Sequence, residues 1–166
     1  MIKVFYAKKA GQLTIQDDAG YPIIFVHKGK SYKFKQLPVR SGQAGYLNAP
    51  WTRSVGAIPY NYQVKTNELY IHLQPVKDPR GDFNNNGIGL FFPISDSKDQ
   101  VRTIKGADAR EVRFDIGLHP ENKWVGSAGC IVLLWNTHER KEMVEALFAW
   151  LKLQSKTVKL IELEVL

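Results

Sequence analysis

The chain reads as mainly β, an α+β domain of short strands with one substantial helix near its C-terminus. Three observations carry this. Short apolar/polar alternating runs recur through the first two-thirds, separated by Gly, Pro and Asn; a single stretch of helical periodicity begins near Asn136; and an alternating apolar run closes the chain. At 166 residues with 44% hydrophobic content the chain fits one domain, 1–166, able to bury a core without covalent staples. Within it, hairpin strands are expected over 1–36 and a second region over 37–166.

The strands follow in order. Ile2, Val4 and Tyr6 alternate with Lys3 and Phe5, Leu13 and Ile15 continue, Asp17-Asp18-Ala19-Gly20 makes a turn, and 21–26 returns as a hairpin partner. Further strands are predicted over 32–36, 60–65, 68–74 and 89–94. The 78–87 stretch, Asp-Pro-Arg-Gly-Asp-Phe-Asn-Asn-Asn-Gly, is the most loop-like segment, and its Arg-Gly-Asp triplet reads as a turn. A strand over 111–119 and a buried one at Ile131, Val132 and Leu133 come next. The helix takes Asn136 as its cap with Glu139 three residues on, and Met143, Leu147, Trp150 and Leu151 recur on one face, which should pack on the sheet. In the closing run 158–166 the alternation slips between Leu160 and Ile161, which predicts a bulge or a change of face.

Composition narrows the function. Cys130 is the only cysteine, so no intramolecular disulfide can form, and His27, His72, His119 and His138 are not at zinc-ligand spacing. No metal or cofactor is called for. A formal charge of +7 favours a polyanionic partner, yet Lys28, Lys30, Lys33 and Lys35 alternate with Tyr32 and Phe34 as on a half-exposed strand. That pattern reads as solvated surface, and no specific nucleic-acid site is expected. The N-terminus turns polar after a few residues, which reads as neither a secretory signal nor a membrane span.

Chemistry concentrates between residues 113 and 130. On a strand over 111–119, Arg113, Asp115, Gly117 and His119 share one side while Phe114, Ile116 and Leu118 share the core side. Cys130 follows His119 by eleven residues. A thiol needs a base nearby, since the thiolate is the nucleophile and an ordinary thiol is mostly protonated at neutral pH. Gly129 permits a tight turn before the cysteine, so that the amides of Ala128, Gly129 and Cys130 can converge as an oxyanion hole, worth about 3 kcal/mol per donor. A buried cysteine before an apolar run is often only a small hydrophobe. Its joint occurrence with His119 and the Ser-Ala-Gly-Cys turn favours catalysis, with Cys130 expected to alkylate faster than a free thiol at pH 7.

His119 followed by Ser127-Ala128-Gly129-Cys130-Ile131 resembles the His…Ser-His-Gly-Cys-(Ile/Val)-Arg signature of the L,D-transpeptidase (YkuD-like) catalytic domain. Upstream, Val39-Arg40-Ser41-Gly42 and Gly56-Ala57-Ile58-Pro59-Tyr60-Asn61-Tyr62-Gln63-Val64 resemble that family's Ser-Gly and Thr-Pro-x-Gly-x-Tyr/Phe-x-Ile segments, with Asn61 where glycine is usual. Three departures stand out. Ala128 replaces the second histidine, Val132 the arginine after the cysteine, and Pro120 the glycine after the first histidine. The short spacing, with Gly126 and Ser127 before the glycine and cysteine, is similar to a compact branch that includes peptidoglycan-targeting toxins.

The resemblance implies an L,D-transpeptidase-like β-sandwich or barrel, with 37–166 as its catalytic region. It also implies cysteine-dependent acyl transfer on peptidoglycan stem peptides: transpeptidation, L,D-carboxypeptidase cleavage or D-amino-acid exchange. Cys130 would be the nucleophile and His119 the base, with Ser127 and Gly126 supporting the motif. Arg113 is the substitute for the missing arginine, and Asp115, Tyr60, His72 and Trp124 are further substrate-binding candidates. If the chain is a secreted antibacterial effector, it acts in the periplasm, arrives by a route other than general secretion or by phage lysis, and has an immunity protein and a secretion-machine component as partners. The rival readings are a phage-type cysteine peptidase or lysin, and a catalytically silent wall-binding module in which Cys130 is core.

Overall fold

The computed structural model describes residues 1–74, 76, 77, 90–100, 102–121 and 129–166. The 78–87 loop and Trp124, Gly126, Ser127 and Ala128 lie outside the described residues. Strands β1 (Lys3–Ala7), β2 (Gln12–Gln16) and β5 (Leu37–Ser41) follow one another antiparallel, and the hairpin β3 (Ile24–His27) and β4 (Lys30–Lys33) branches off between β2 and β5. Then come β6 (Leu69–His72), β7 (Val76–Lys77), β8 (Leu90–Ser95), the small hairpin β9 (Thr103–Lys105) and β10 (Val112–Phe114), and β11 (Gly117–Pro120) and β12 (Ile131–Leu133). Helix α1 (His138–Gln154) leads into β13 (Leu160–Val165).

Eight strands close on themselves in the order β11, β12, β5, β2, β1, β13, β6, β8, with β8 pairing back onto β11. The parallel pairs are β1 with β13 and β11 with β12. Closure removes the exposed edges that an open sheet would present. Alternation sends Val4 and Tyr6, Leu13 and Ile15, Leu37 and Val39, Phe92 and Ile94, Ile131 and Leu133, and Ile161, Leu163 and Val165 into one core. Helix α1 adds Val144, Leu147, Phe148, Trp150 and Leu151 to it, with Phe148 packed on Phe92 and Trp150 edge-on to Phe34. Each such aromatic contributes roughly 1.5–3 kcal/mol by leaving water.

Several expectations change. Within 1–36, β1 and β2 are barrel strands between β13 and β5, and β3 and β4 form a separate hairpin. The segment at Tyr60 is a 3-10 turn, Asn61–Gln63, and Asn61 spends its side chain on β13, donating to the Leu163 carbonyl at 3.0 Å and accepting from the Val165 amide at 2.8 Å. No slip occurs in β13, where Ile161, Leu163 and Val165 alternate inward without a break. Thr137, not Asn136, caps α1, accepting from the Arg140 amide at 3.2 Å. The 111–119 run is two strands, since Asp115 adopts φ +54 and turns the chain between them. Among the described residues no helix is long and apolar enough to cross a membrane.

Candidate active site

Two neighbouring strands set the site. In the parallel pair β11–β12, Leu118 lies beside Ile131, His119 beside Val132 and Pro120 beside Leu133. One step back along the same register, Cys130 lies beside Gly117. Since alternate residues share a face, Gly117, His119, Cys130 and Val132 sit on the outer face, while Leu118, Ile131 and Leu133 belong to the core. His119 and Cys130 are therefore diagonal neighbours. One strand spacing of about 4.8 Å and two rises of about 3.3 Å put their Cα atoms about 8 Å apart, within side-chain reach. Both are covered, at 4% and 7% exposure.

Gly117 is required between them by the approach of a ring. A Cβ there would lie 2.4 Å from Cζ of Phe91, which comes from β8 and also stacks on the His119 imidazole with centroids 5.8 Å apart. Nδ1 of His119 lies 2.7 Å from the Pro120 carbonyl oxygen. That oxygen only accepts, so Nδ1 carries the proton and Nε2 is the basic nitrogen of the neutral ring. The carbonyl thus orients the ring, as a carboxylate does in nucleophile–histidine sites.

The thiol is braced rather than open. Sγ of Cys130 donates to the Asp115 carbonyl at 3.8 Å. Burial pushes its pKa up to about 11; the Gly117 amide and the Arg113 guanidinium pull it down, and Asp115 opposes them. At neutral pH the covered thiol is therefore mostly protonated. Gly129 precedes it at φ +109, and a Cβ there would lie 2.4 Å from Nη2 of Arg113, so backbone angle and space both call for glycine. The Gly129 carbonyl accepts from Ser41 Oγ at 2.8 Å, and that hydroxyl accepts from the Ile58 amide at 2.8 Å. The peptide before Cys130 is held from behind.

The turn at Asp115 redistributes the other candidates. Arg113 is buried at 3% exposure, not on the His119 face; its Nη1 donates to the carbonyls of Pro50 and of Gly56, the latter at 3.1 Å. Burial lowers its pKa and Cys130 raises it, so its charge acts on the thiol. Phe114, predicted in the core, is exposed. The Asp115 carboxylate points to solvent in a two-pronged pair with Arg102, at 2.9 and 3.1 Å, and only its backbone meets Cys130. Tyr60 packs under Lys8 and stacks on Tyr62. Lys8 directly follows β1, so this contact ties Tyr60 to the end of that strand.

His72 is on β6, separated from β11 by β8. Its Nε2 lies 2.7 Å from Ser95 Oγ, whose hydrogen goes to the Ser97 carbonyl at 2.8 Å, so Nε2 must donate. Burial lowers its pKa. Arg40 and Ser41 enter the sequence reading only as part of the 39–42 segment, without a site role, and Phe91 is not singled out. The outward position of Arg40 was legible in the alternation of Leu37-Pro38-Val39-Arg40-Ser41, but its pairing with Val132 is a long-range contact without a local signal.

No family model matches the chain, and no curated protein does. Among solved structures, Bd1075 of Bdellovibrio bacteriovorus is similar at 16% identity and a TM-score of 0.46, over 99% of this chain and 47% of that one. An L,D-transpeptidase (Yku) from Stackebrandtia nassauensis is similar at 18% identity and a TM-score of 0.39, over 99% of this chain and 55% of that one. The chain spans about half the length of these two structures.

Proposed function

We propose that the protein is a cysteine-dependent acyl-transfer enzyme acting on peptidoglycan stem peptides, of the L,D-transpeptidase or L,D-carboxypeptidase type. The observation that carries this reading is the placement of the sole cysteine on the same outer face as His119, one strand away, with the imidazole tautomer fixed by Pro120 so that Nε2 is basic. The substrate class rests on the sequence resemblance around Ser127 to Ile131.

With a thiol pKa near 11 only about one molecule in ten thousand is thiolate at pH 7. Proton transfer must therefore accompany attack. As Sγ bonds to the carbonyl carbon, its proton passes to His119 Nε2; the C–N bond then breaks and His119 returns that proton to the departing amine of the terminal D-Ala. A thioester on Cys130 remains. Water, a D-amino acid or a stem amine attacks it in the second half, again losing its proton to His119 and restoring the thiol. The positive charge of Arg113 beside Cys130 favours the sulfur anion as it develops.

A silent wall-binding module would also show a covered, protonated cysteine, and the test separates the two. Purified muropeptides incubated with wild type should lose the mass of D-Ala or gain crosslinks, and Cys130→Ala should leave them unchanged. Unaltered masses with both proteins would remove the enzyme reading. The compact motif further supports an antibacterial effector acting in the periplasm and neutralised by an immunity partner. Expression with an added periplasmic signal should then arrest growth in a Cys130-dependent way; harmless expression would remove the effector role.

A further inference from the structure

We propose that Arg40 is the residue that selects the substrate, by binding the free C-terminal carboxylate of the amino acid that is released. This rests on the reaction assigned to Cys130 above. Arg40 pairs with Val132 across β5–β12, and Val132 pairs with His119 across β12–β11, so the three side chains form one row on the outer face. Cys130 lies in the same face, diagonal to Arg40. Arg40 therefore stands on the face that carries His119 and Cys130.

Its bonding is incomplete. Nη2 donates to Glu121 Oε1 at 3.1 Å, a single-pronged pair, whereas Nε is buried and has no hydrogen-bond partner among the described residues. A buried donor left without an acceptor is costly, and a planar guanidinium is shaped to serve two carboxylate oxygens at once. A ligand carboxylate would satisfy Nε. Glu121 already shows that a carboxylate reaches this fork, and its single negative charge matches a monoanion better than a phosphate dianion.

Span decides which carboxylate. Arg40 and Cys130 have Cα atoms about 8 Å apart by strand geometry. A scissile carbonyl over Sγ has the carboxylate of the next residue about 3.6 Å further along an extended peptide. A terminal residue directly after the scissile bond fits between the two side chains, and a longer extension overshoots the guanidinium. The enzyme would accordingly trim single C-terminal residues and discriminate against internal bonds.

The test compares a tetrapeptide stem bearing a free C-terminus with the same peptide carrying a C-terminal amide. Wild type should favour the acid by about thirtyfold in kcat/KM, the factor of one charge-assisted hydrogen bond. Arg40→Gln should abolish that preference, Arg40→Lys should keep part of it, and Glu121→Gln, which frees Nη2, should enlarge it. A preference that survives Arg40→Gln, or equal losses on both peptides, would overturn the assignment. Calorimetric binding of both peptides to Cys130→Ala protein separates the two proposals. Acid-selective binding that Arg40→Gln abolishes, without turnover by wild type, leaves Arg40 standing and the reaction refuted; binding without selectivity refutes Arg40 as well.

Discussion

His72 and His119 are equally covered, at 4% exposure each, and both present their side chains near β8, yet their nitrogens are committed in opposite ways. Nε2 of His72 must donate to Ser95, because the Ser95 hydrogen already serves the Ser97 carbonyl. The Nδ1–H of His119 is given to the Pro120 carbonyl, so in the proposed reaction Nε2 is the nitrogen that would take the proton. Burial alone therefore says little about which histidine does chemistry. The hydrogen bond on the other nitrogen, and the neighbour one strand away, are what distinguish the two rings in the proposed reaction.

The largest effects should separate these two histidines. Cys130→Ala and His119→Ala should each lower turnover of stem peptides at least about a thousandfold, whereas His72→Gln should leave kcat within about threefold and act on the melting temperature. Steady-state kinetics with circular dichroism melts check this. A collapse of turnover in a well-folded His72→Gln would erase the distinction.

A second contrast lies between the two buried cations. Arg113 is bonded to the carbonyls of Pro50 and Gly56 and stands beside Cys130, while Lys8 has only the Tyr60 ring, 4.1 Å from its Nζ, and no hydrogen-bond partner among the described residues. Arg113→Met should destabilise by about 3 kcal/mol, since two buried carbonyls lose a donor, and should raise the titration midpoint of Cys130 further. Denaturant unfolding and thiolate absorbance read both. Lys8 behaves oppositely. Burial holds its pKa down at about 8, against 10.5 ordinarily, so the folded state bears a charged-form penalty below pH 8 that lessens as pH rises from 8 to 10.5. Lys8→Met should stabilise by about 1–2 kcal/mol at pH 7, less than the full shift because the ring favours the cation, and the gain should fade over that pH window.

The thiol gives the smallest effect at neutral pH and a growing one in base. Its folded pKa of about 11 exceeds the ordinary 9.0, so between those values the unfolded chain has released a proton that the folded chain retains. Stability should fall through that window by about 2–3 kcal/mol, and Cys130→Ala should flatten the fall. Alkylation by iodoacetamide at pH 7 should be slower for the folded protein than for the unfolded chain. Rapid modification of the folded protein would mean that the thiol is not held as described.

Local patterns made much of this legible. Strand-like runs between turn signals located β1, β2, β6 and β8, a buried apolar run located β12, helical spacing located α1, and the single cysteine with a histidine eleven residues earlier marked the candidate pair. What was not legible is non-local. Barrel closure by β8 on β11, the parallel pairing of β1 with β13, and the row of Arg40, Val132 and His119 depend on which distant strands meet. One backbone angle did the most damage to the sequence reading. Asp115 at φ +54 inverted the faces of Arg113 and Phe114, so that Arg113 is buried and Phe114 is exposed. Asp tolerates that conformation better than most residues, but nothing in 111–119 requires it.

The most direct measurement is the intact mass of the protein after rapid mixing with a tetrapeptide stem and acid quenching. The expected result is a covalent adduct on Cys130 equal to the stem peptide less its terminal D-Ala, absent from Cys130→Ala and scarcely formed by His119→Ala. Unmodified Cys130, together with an unchanged peptide at every mixing time, would contradict a catalytic role for the pair.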